Sequence, residues 1–165
     1  MNGLKHEHWK AKNDRLRTFL KKYEFDIMGF QETNLNWDKV GVQDTWEERT
    51  LGWWKGGNTP IKAYNTEDII TTAHQPGGCM MTTANKAKRK IIGYGVDFRN
   101  LGRWAWTRYK GKQGISLRVV TAYRPGNNVG THTVFSQQRS YLDNLNDDRH
   151  PKDVMLEELC AEIIK

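Results

Sequence analysis

Glu32 has the residue type and the sequence position from which a carboxylate can bind a hard divalent cation. It follows residues 25–30, a short and mostly apolar run without helical periodicity, which predicts a buried strand at the centre of a sheet. The polar residues 31–34 then fall at the carboxyl end of that strand, the edge at which layered α/β folds bind ligands. Many strands end in an acidic residue, so a surface carboxylate without a ligand is the competing interpretation of Glu32.

Two further polar residues lie at positions suited to a phosphate or metal site. Tyr123 ends an apolar segment directly before Arg124 and Pro125, where its hydroxyl can reach a phosphate oxygen; a rim aromatic is the alternative. Asn2 precedes the first predicted helix and can give an amide oxygen to the outer shell of a metal, or act as the helix N-cap. The sequence has no glycine-rich phosphate-binding signature, no serine nucleophile elbow and no redox pair of cysteines.

Positive charge is concentrated in one segment of the chain. The 165 residues include 26 Lys and Arg and 19 Asp and Glu, which gives a net charge of +7 at pH 7. Residues 86–124 hold eleven basic residues and one acidic residue, with Trp104, Trp106 and Tyr109 among them. Basic and aromatic side chains together favour binding to nucleic acid, although a solvated strand face has a similar composition. The residues predicted to contact nucleic acid are Arg103, Arg108, Lys110, Lys112 and Arg124.

The elements that must position these residues are helices and strands in alternation. Apolar residues at helical spacing predict a helix near the N-terminal end, a second over 134–145 and a third after Pro151. The other predicted elements are a core strand at 79–83, a hairpin of strands at 102–109 and 115–123, and turns at 56–60 and 76–78. This order predicts an α/β (α+β) fold with a mixed, largely antiparallel sheet.

Composition excludes several classes of protein. A chain of 165 residues has the size of one domain, and its seven Trp and 37% hydrophobic content indicate a packed core. No run of about eighteen apolar residues occurs, and no apolar segment stands near Met1, so we expect neither a transmembrane helix nor a secretory leader. Cys79 and Cys160 match no zinc or disulfide pattern. We therefore expect an intracellular protein, nuclear location included, with no membrane partner.

Four motifs, taken in chain order, resemble those of the endonuclease/exonuclease/phosphatase superfamily. They are Asn2-Gly3-Leu4, residues 26–33 (Asp-Ile-Met-Gly-Phe-Gln-Glu-Thr), Pro76-Gly77-Gly78 and residues 119–125 (Val-Val-Thr-Ala-Tyr-Arg-Pro). Within the superfamily, the sequence most resembles the endonuclease domains of non-LTR retrotransposons, and residues 135–164 also resemble that group. The similarity spans nearly the whole chain.

This resemblance implies a four-layer α/β sandwich, in which two mixed sheets face each other and helices lie outside. It implies a hydrolase that cuts phosphate esters with Mg²⁺ or Mn²⁺. Glu32 then matches a metal ligand, Tyr123 matches the contact to the scissile phosphate, and Asn2 matches a position that assists the metal site. DNA is the implied partner, bound through its phosphate backbone, and no protein partner is implied.

The sequence also departs from the family pattern. The family's first strand would lie before Met1, and its Asp-x-Asn and Ser-Asp-His motifs do not occur in residues 1–165. In the family, those motifs supply the His that activates water and the groups that hold the phosphate. We therefore expect residues 1–165 to form a single incomplete domain, a fragment or a decayed copy, with impaired activity.

Three functions remain as alternatives. The first is a Mg²⁺-dependent DNA endonuclease of the retroelement type. The second is a non-catalytic remnant that binds nucleic acid through residues 86–124, because catalytic groups act as a unit and the loss of several is severe. The third is a phosphatase acting on inositol or lipid phosphates, and a structural or protein-binding role is also open.

Overall fold

The computed structural model describes residues 9–67, 72–126, 130 and 132–165. Two three-stranded sheets stack on each other, and helices cover their outer sides. The helices and strands, in chain order, are α1 (Trp9–Tyr23), β1 (Ile27–Gln31), α2 (Trp46–Arg49), β2 (Asn58–Ala63), β3 (Cys79–Ala84), α3 (Asn85–Lys88), β4 (Ile91–Val96), β5 (Trp104–Lys110), β6 (Ser116–Ala122), α4 (Val134–Asn144) and α5 (Pro151–Ile164). Two short 3₁₀ turns, Trp37–Lys39 and Val42–Asp44, precede α2.

The two sheets confirm the predicted α/β sandwich. The first sheet has the strand order β1-β3-β2 and the second has the order β4-β5-β6. Every strand pair formed by the described residues is antiparallel. The prediction that residues 25–30 form the central strand is wrong for this sheet. β3 lies between β1 and β2, so β3 is central and β1 is at the edge. All six residues of β3 are buried, in agreement with this position.

The inner faces of the two sheets form one core. Ile61, Cys79 and Met81 of the first sheet pack with Ala105 of the second, and Val119 packs against this cluster. These residues alternate with outward-facing neighbours, as the two-residue period of a strand requires. This inner core holds β1 and β6 face to face at one side of the sandwich.

The outer face of the first sheet forms a second core with α1 and the tryptophan-rich segment. Leu16 and Leu20 lie four residues apart on α1 and pack with Trp46, Trp54 and Met80. Each buried leucine contributes roughly 1.5–3 kcal/mol to stability through the area it removes from water. The tryptophans of this segment therefore belong to the core between α1 and the first sheet.

Two local predictions need correction. Residues 58–60 were predicted as part of a turn but begin β2, where Pro60 is tolerated because β2 is an edge strand. Strand β4 was not predicted, because Gly93 and Gly95 interrupt its apolar pattern. A Cβ atom at Gly95 would lie 2.8 Å from the ring of Trp106, so glycine is needed there for the two strands to pair. The predicted hairpin, the core strand and the two later helices are confirmed.

Helix α5 covers the second sheet and is attached to it by buried charge. Arg103 is 2% exposed, and its guanidinium donates to both carboxylate oxygens of Asp97 at 2.6 and 2.7 Å. The same guanidinium donates to Glu158 of α5 at 2.7 Å. Because Asp97 and Glu158 bind the same arginine, this arginine holds together the end of β4, the start of β5 and the last helix.

The described helices include none with the length and apolar character that crossing a bilayer requires. Cys79 and Cys160 are both free thiols, the first buried and the second exposed. Burial raises the pKa of the Cys79 thiol to about 12, so it stays protonated and unreactive in the core.

Arg103→Ala should leave the Asp97 carboxylate, 1% exposed, without its cation. We expect the free energy of unfolding to fall by about 3–5 kcal/mol, measured by urea denaturation followed by tryptophan fluorescence. Arg99→Ala is the matched control, because Arg99 reaches Glu158 from a more exposed position and its loss should cost about 1 kcal/mol or less. Equal losses in the two variants would contradict the structural role given to Arg103.

Candidate active site

Glu32 and Tyr123 meet at one end of the sandwich. Glu32 directly follows β1 in the first sheet, and Tyr123 directly follows β6 in the second. The Tyr123 hydroxyl donates a hydrogen bond to Oε1 of Glu32 at 2.5 Å. The side chain of Gln31 donates to the carbonyl oxygen of Ala122, also at 2.5 Å, and so ties the same two strand ends together. The structure thus joins two residues that are far apart in sequence.

Gly29 allows the two strands to come this close. A Cβ atom at this position would lie 3.0 Å from both Cβ and Oγ1 of Thr121 on β6. That distance is shorter than ordinary van der Waals contact, so a larger residue would push the sheets apart. The glycine between Met28 and Phe30 therefore has a specific role in placing Glu32 beside Tyr123.

The turn at residues 76–78 fixes the backbone around Glu32. Glu32 and Asn34 both have left-handed backbone angles, with φ of 51° and 55°. Asn34 donates its N–H to the Gly77 carbonyl at 2.8 Å, and its side-chain oxygen accepts from the Gly77 N–H at 2.9 Å. The Thr33 N–H donates to the Gly78 carbonyl at 3.2 Å. These bonds hold an unfavourable backbone conformation that the surrounding structure must enforce.

Glu32 and Tyr123 border a pocket of about 230 Å³. Asn34, Pro76, Gly77 and residues 132–135 also line it. His132 was missed by the sequence analysis, and Asn34 was placed among the polar residues at this strand end without a role in the site. Its position two residues beyond Glu32 was the available signal for Asn34, whereas the sequence around His132 does not distinguish that residue.

Burial and charge keep the Tyr123 phenol protonated. Its pKa is raised to about 12, first by burial and then by the hydrogen bond and negative charge of Glu32. At neutral pH, Tyr123 is therefore a hydrogen-bond donor. This state suits contact with an anionic oxygen, since a phenolate would repel it.

Glu32 is the acidic residue that lines this pocket, and its carboxylate could bind a metal ion. Only its Oε1 atom accepts a hydrogen bond from the described residues, so Oε2 is available as a ligand. Within the described residues, no three His, Cys, Asp or Glu side chains are close enough together to form a metal cage. One carboxylate fits Mg²⁺ shared with water and a substrate phosphate, the common arrangement for this ion.

The predicted nucleic-acid residues are placed very differently from one another. Arg124 is exposed and adjacent to Tyr123. Arg108 is partly buried on β5, opposite Arg118. Lys110 and Lys112 are exposed at the other end of the sandwich, since β5 runs away from the pocket. Arg103 is buried in its ion pairs, which argues against the predicted contact with nucleic acid. Asn2 lies outside the described residues.

Two stacked sheets with outer helices, and a carboxylate–phenol pair where two strands end, define the class of protein. The chain belongs to the endonuclease/exonuclease/phosphatase family, whose family model matches residues 1–155. The domain is thus of the nuclease and phosphatase type of hydrolase. A search of curated proteins gave no significant match.

Tyr123 should stay un-ionised at a pH where an ordinary tyrosine is half ionised. The difference in phenolate absorbance between the protein and Tyr123→Phe should have a midpoint near pH 12, against about 10 for free tyrosine. Folding raises this pKa, so the stability it contributes is complete below about pH 10 and is lost as the pH rises towards 12. Glu32→Gln should lower the midpoint only in part, because burial is the larger cause. A midpoint near 10 in the native protein would contradict the assignment.

Gly78→Ala should destabilise the turn at residues 76–78, two of whose residues line the pocket. Gly78 has a φ of +81°, and a Cβ atom there would lie 2.6 Å from Oγ1 of Thr33. We expect a loss of about 1–3 kcal/mol in thermal unfolding. Gly52→Ala is the control, because Gly52 has a φ of +73° but no atom within 4 Å of the added Cβ. If the control lost as much stability as Gly78→Ala, the contact with Thr33 would have no part in the effect.

Proposed function

We propose that this chain is a Mg²⁺- or Mn²⁺-dependent phosphodiesterase domain of the DNA endonuclease type. The observation that carries the proposal is the Glu32–Tyr123 pair, in which one carboxylate and one protonated phenol border the same pocket. Family membership supports hydrolysis of phosphate esters, and the retroelement-like motifs support DNA as the substrate. A nuclear location is part of the same proposal, because nuclear DNA would be the substrate.

In this proposal, the two residues act on the same phosphate in different ways. Glu32 would hold the divalent ion through its available oxygen. A bound Mg²⁺ supplies charge neutralisation and polarisation of the phosphate ester. The Tyr123 hydroxyl, protonated at neutral pH, has one proton to donate, so it would exchange its hydrogen bond to Glu32 for one to a phosphate oxygen as negative charge develops there. Asn34 and the turn at residues 76–78 keep Glu32 in position.

The substrate would approach past an exposed positive charge. Arg124 is exposed beside Tyr123 and is the predicted nucleic-acid residue nearest to the pocket. The net charge of +7 also favours a polyanion, and binding of this kind weakens as salt rises. DNA backbone phosphate is therefore the substrate chemistry that the charges favour.

We further propose that residues 1–165 cut slowly on their own. Neither Asp-x-Asn nor Ser-Asp-His occurs in this sequence, and the family resemblance assigns water activation and phosphate binding to those motifs. Loss of groups that act as a unit reduces the rate by several orders of magnitude. The same observation favours a second candidate function, in which the chain binds DNA without cutting it.

Nicking of supercoiled plasmid separates these two functions. With Mg²⁺, the chain should give slow nicking that a chelator abolishes, and Glu32→Gln and Tyr123→Phe should reduce the rate by about 10²-fold or more. Glu48→Gln is the control, because Glu48 is an exposed acid on α2. Nicking that survives Glu32→Gln would remove Glu32 from the mechanism. Binding without nicking, by a folded chain, would favour the non-catalytic function. Inositol polyphosphate, offered in parallel, should release no phosphate.

A further inference from the structure

A second concave surface lies at the opposite end of the sandwich from Glu32. This basic groove, as we call it, has a volume of about 1180 Å³ and is formed by α1 and its C-terminal turn, residues 53–56, and residues 85–89. Asp26, before β1, borders the basic groove, whereas Glu32, after β1, borders the pocket. The two sites are therefore separated by the length of β1, roughly 20 Å at about 3.3 Å per residue.

The basic groove carries a large excess of positive charge. It is lined by six basic side chains and two acidic ones, Glu24 and Asp26. The ammonium of Lys88 donates to the carbonyl oxygen of Gly56 at 3.1 Å and so links two walls of the groove. The remaining five basic residues are exposed and have no ion-pair partner within the described ranges; they are Arg17, Lys21, Lys55, Lys86 and Arg89.

Aromatic surface lies among these charges. Trp53 and Trp54 line the basic groove; Trp53 is partly exposed and packs edge-on against Trp46, which fixes its ring. A fixed aromatic ring in a basic groove is the combination that binds single-stranded nucleic acid, by stacking on bases and neutralising phosphates. The groove is also larger than pockets for small molecules, which are about 300–1,000 Å³. Its volume thus leaves room for a ligand larger than an ordinary small molecule.

The positive surface continues beyond the basic groove. The Lys110 N–H donates to the carbonyl of Lys90 at 2.7 Å, which places the β5–β6 hairpin beside the segment that follows α3. Lys110 and Lys112 are exposed there. Residues 86–90 and the hairpin therefore form one basic end of the molecule, remote from the candidate active site.

We propose that the basic groove binds a single strand of nucleic acid, independently of the Glu32–Tyr123 site. The five exposed cations contact its phosphates, and Trp53 stacks on a base. A double helix is disfavoured, because its bases are stacked on each other and offer no free face to Trp53. The inference goes beyond the proposed function, since it needs neither a metal ion nor cleavage.

The test measures fluorescence anisotropy of a labelled 12-nucleotide oligothymidylate with the full chain in chelator. The triple variant Arg17→Gln/Lys21→Gln/Lys86→Gln should bind at least about tenfold more weakly at 0.1 M salt, and its slope of log K against log salt should fall by about two. The control Arg15→Gln/Lys22→Gln/Lys39→Gln makes the same change in charge at exposed residues that do not line the basic groove. It should retain affinity within about threefold.

Two further probes test the nature of the ligand. An abasic oligonucleotide of equal length should bind at least about fivefold more weakly, because it keeps the phosphates but offers nothing to stack. A 12-base-pair duplex should also compete poorly. Equal losses in the two triple variants, equal affinity for the abasic strand, equal displacement of the labelled strand by the duplex, or no binding by the native chain would each overturn the proposal. Circular dichroism of both variants verifies that they are folded. Glu32→Gln should leave this binding unchanged, which separates it from cleavage.

Discussion

The close approach of β1 and β6 is the constraint on which the candidate site depends. Each sheet supplies one of the two residues, so neither sheet alone contains the site. Gly29 removes the side chain that would hold the sheets apart at Thr121, and Gln31 bonds to the backbone of the facing strand. The Glu32–Tyr123 hydrogen bond depends on this close approach, since the two residues directly follow β1 and β6. The packing of the two sheets against each other therefore determines both the stability of the sandwich and the geometry of the candidate site.

Local sequence patterns predicted the two residues of the candidate site, which the structure brings together, but not their surroundings. Glu32 and Tyr123 could be found because each follows an apolar run, and strand ends are where polar groups collect. Their contact could not be found, since it joins residues 91 positions apart. Arg103 was predicted to contact nucleic acid because only the charge of its own segment is visible in the sequence. A charge count does not reveal a buried ion pair whose second partner, Glu158, lies 55 positions away.

The elements themselves show the same limit. The hairpin and the helices were predicted because periodicity and turn residues are local properties. Strand β4 was missed because its glycines lower strand propensity. Gly95 is needed because the ring of Trp106 on the neighbouring strand occupies the space that a Cβ atom would take. The central position of β3 likewise depends on its pairing with β1 on one side and β2 on the other, which its own six residues do not specify.

Strand β1 also makes the molecule sensitive to changes of chain length. Its pairing with β3 places Gly29 opposite Met81 and Gln31 opposite Cys79. These positions lie on the face of the first sheet that packs against the second sheet. A deletion or insertion of one residue would exchange the faces, and Met28 and Phe30 would then point at β6. The carboxylate after the strand would be displaced by a residue's length. Evolutionary drift in this segment is thus expected to proceed by substitution, with its length held constant.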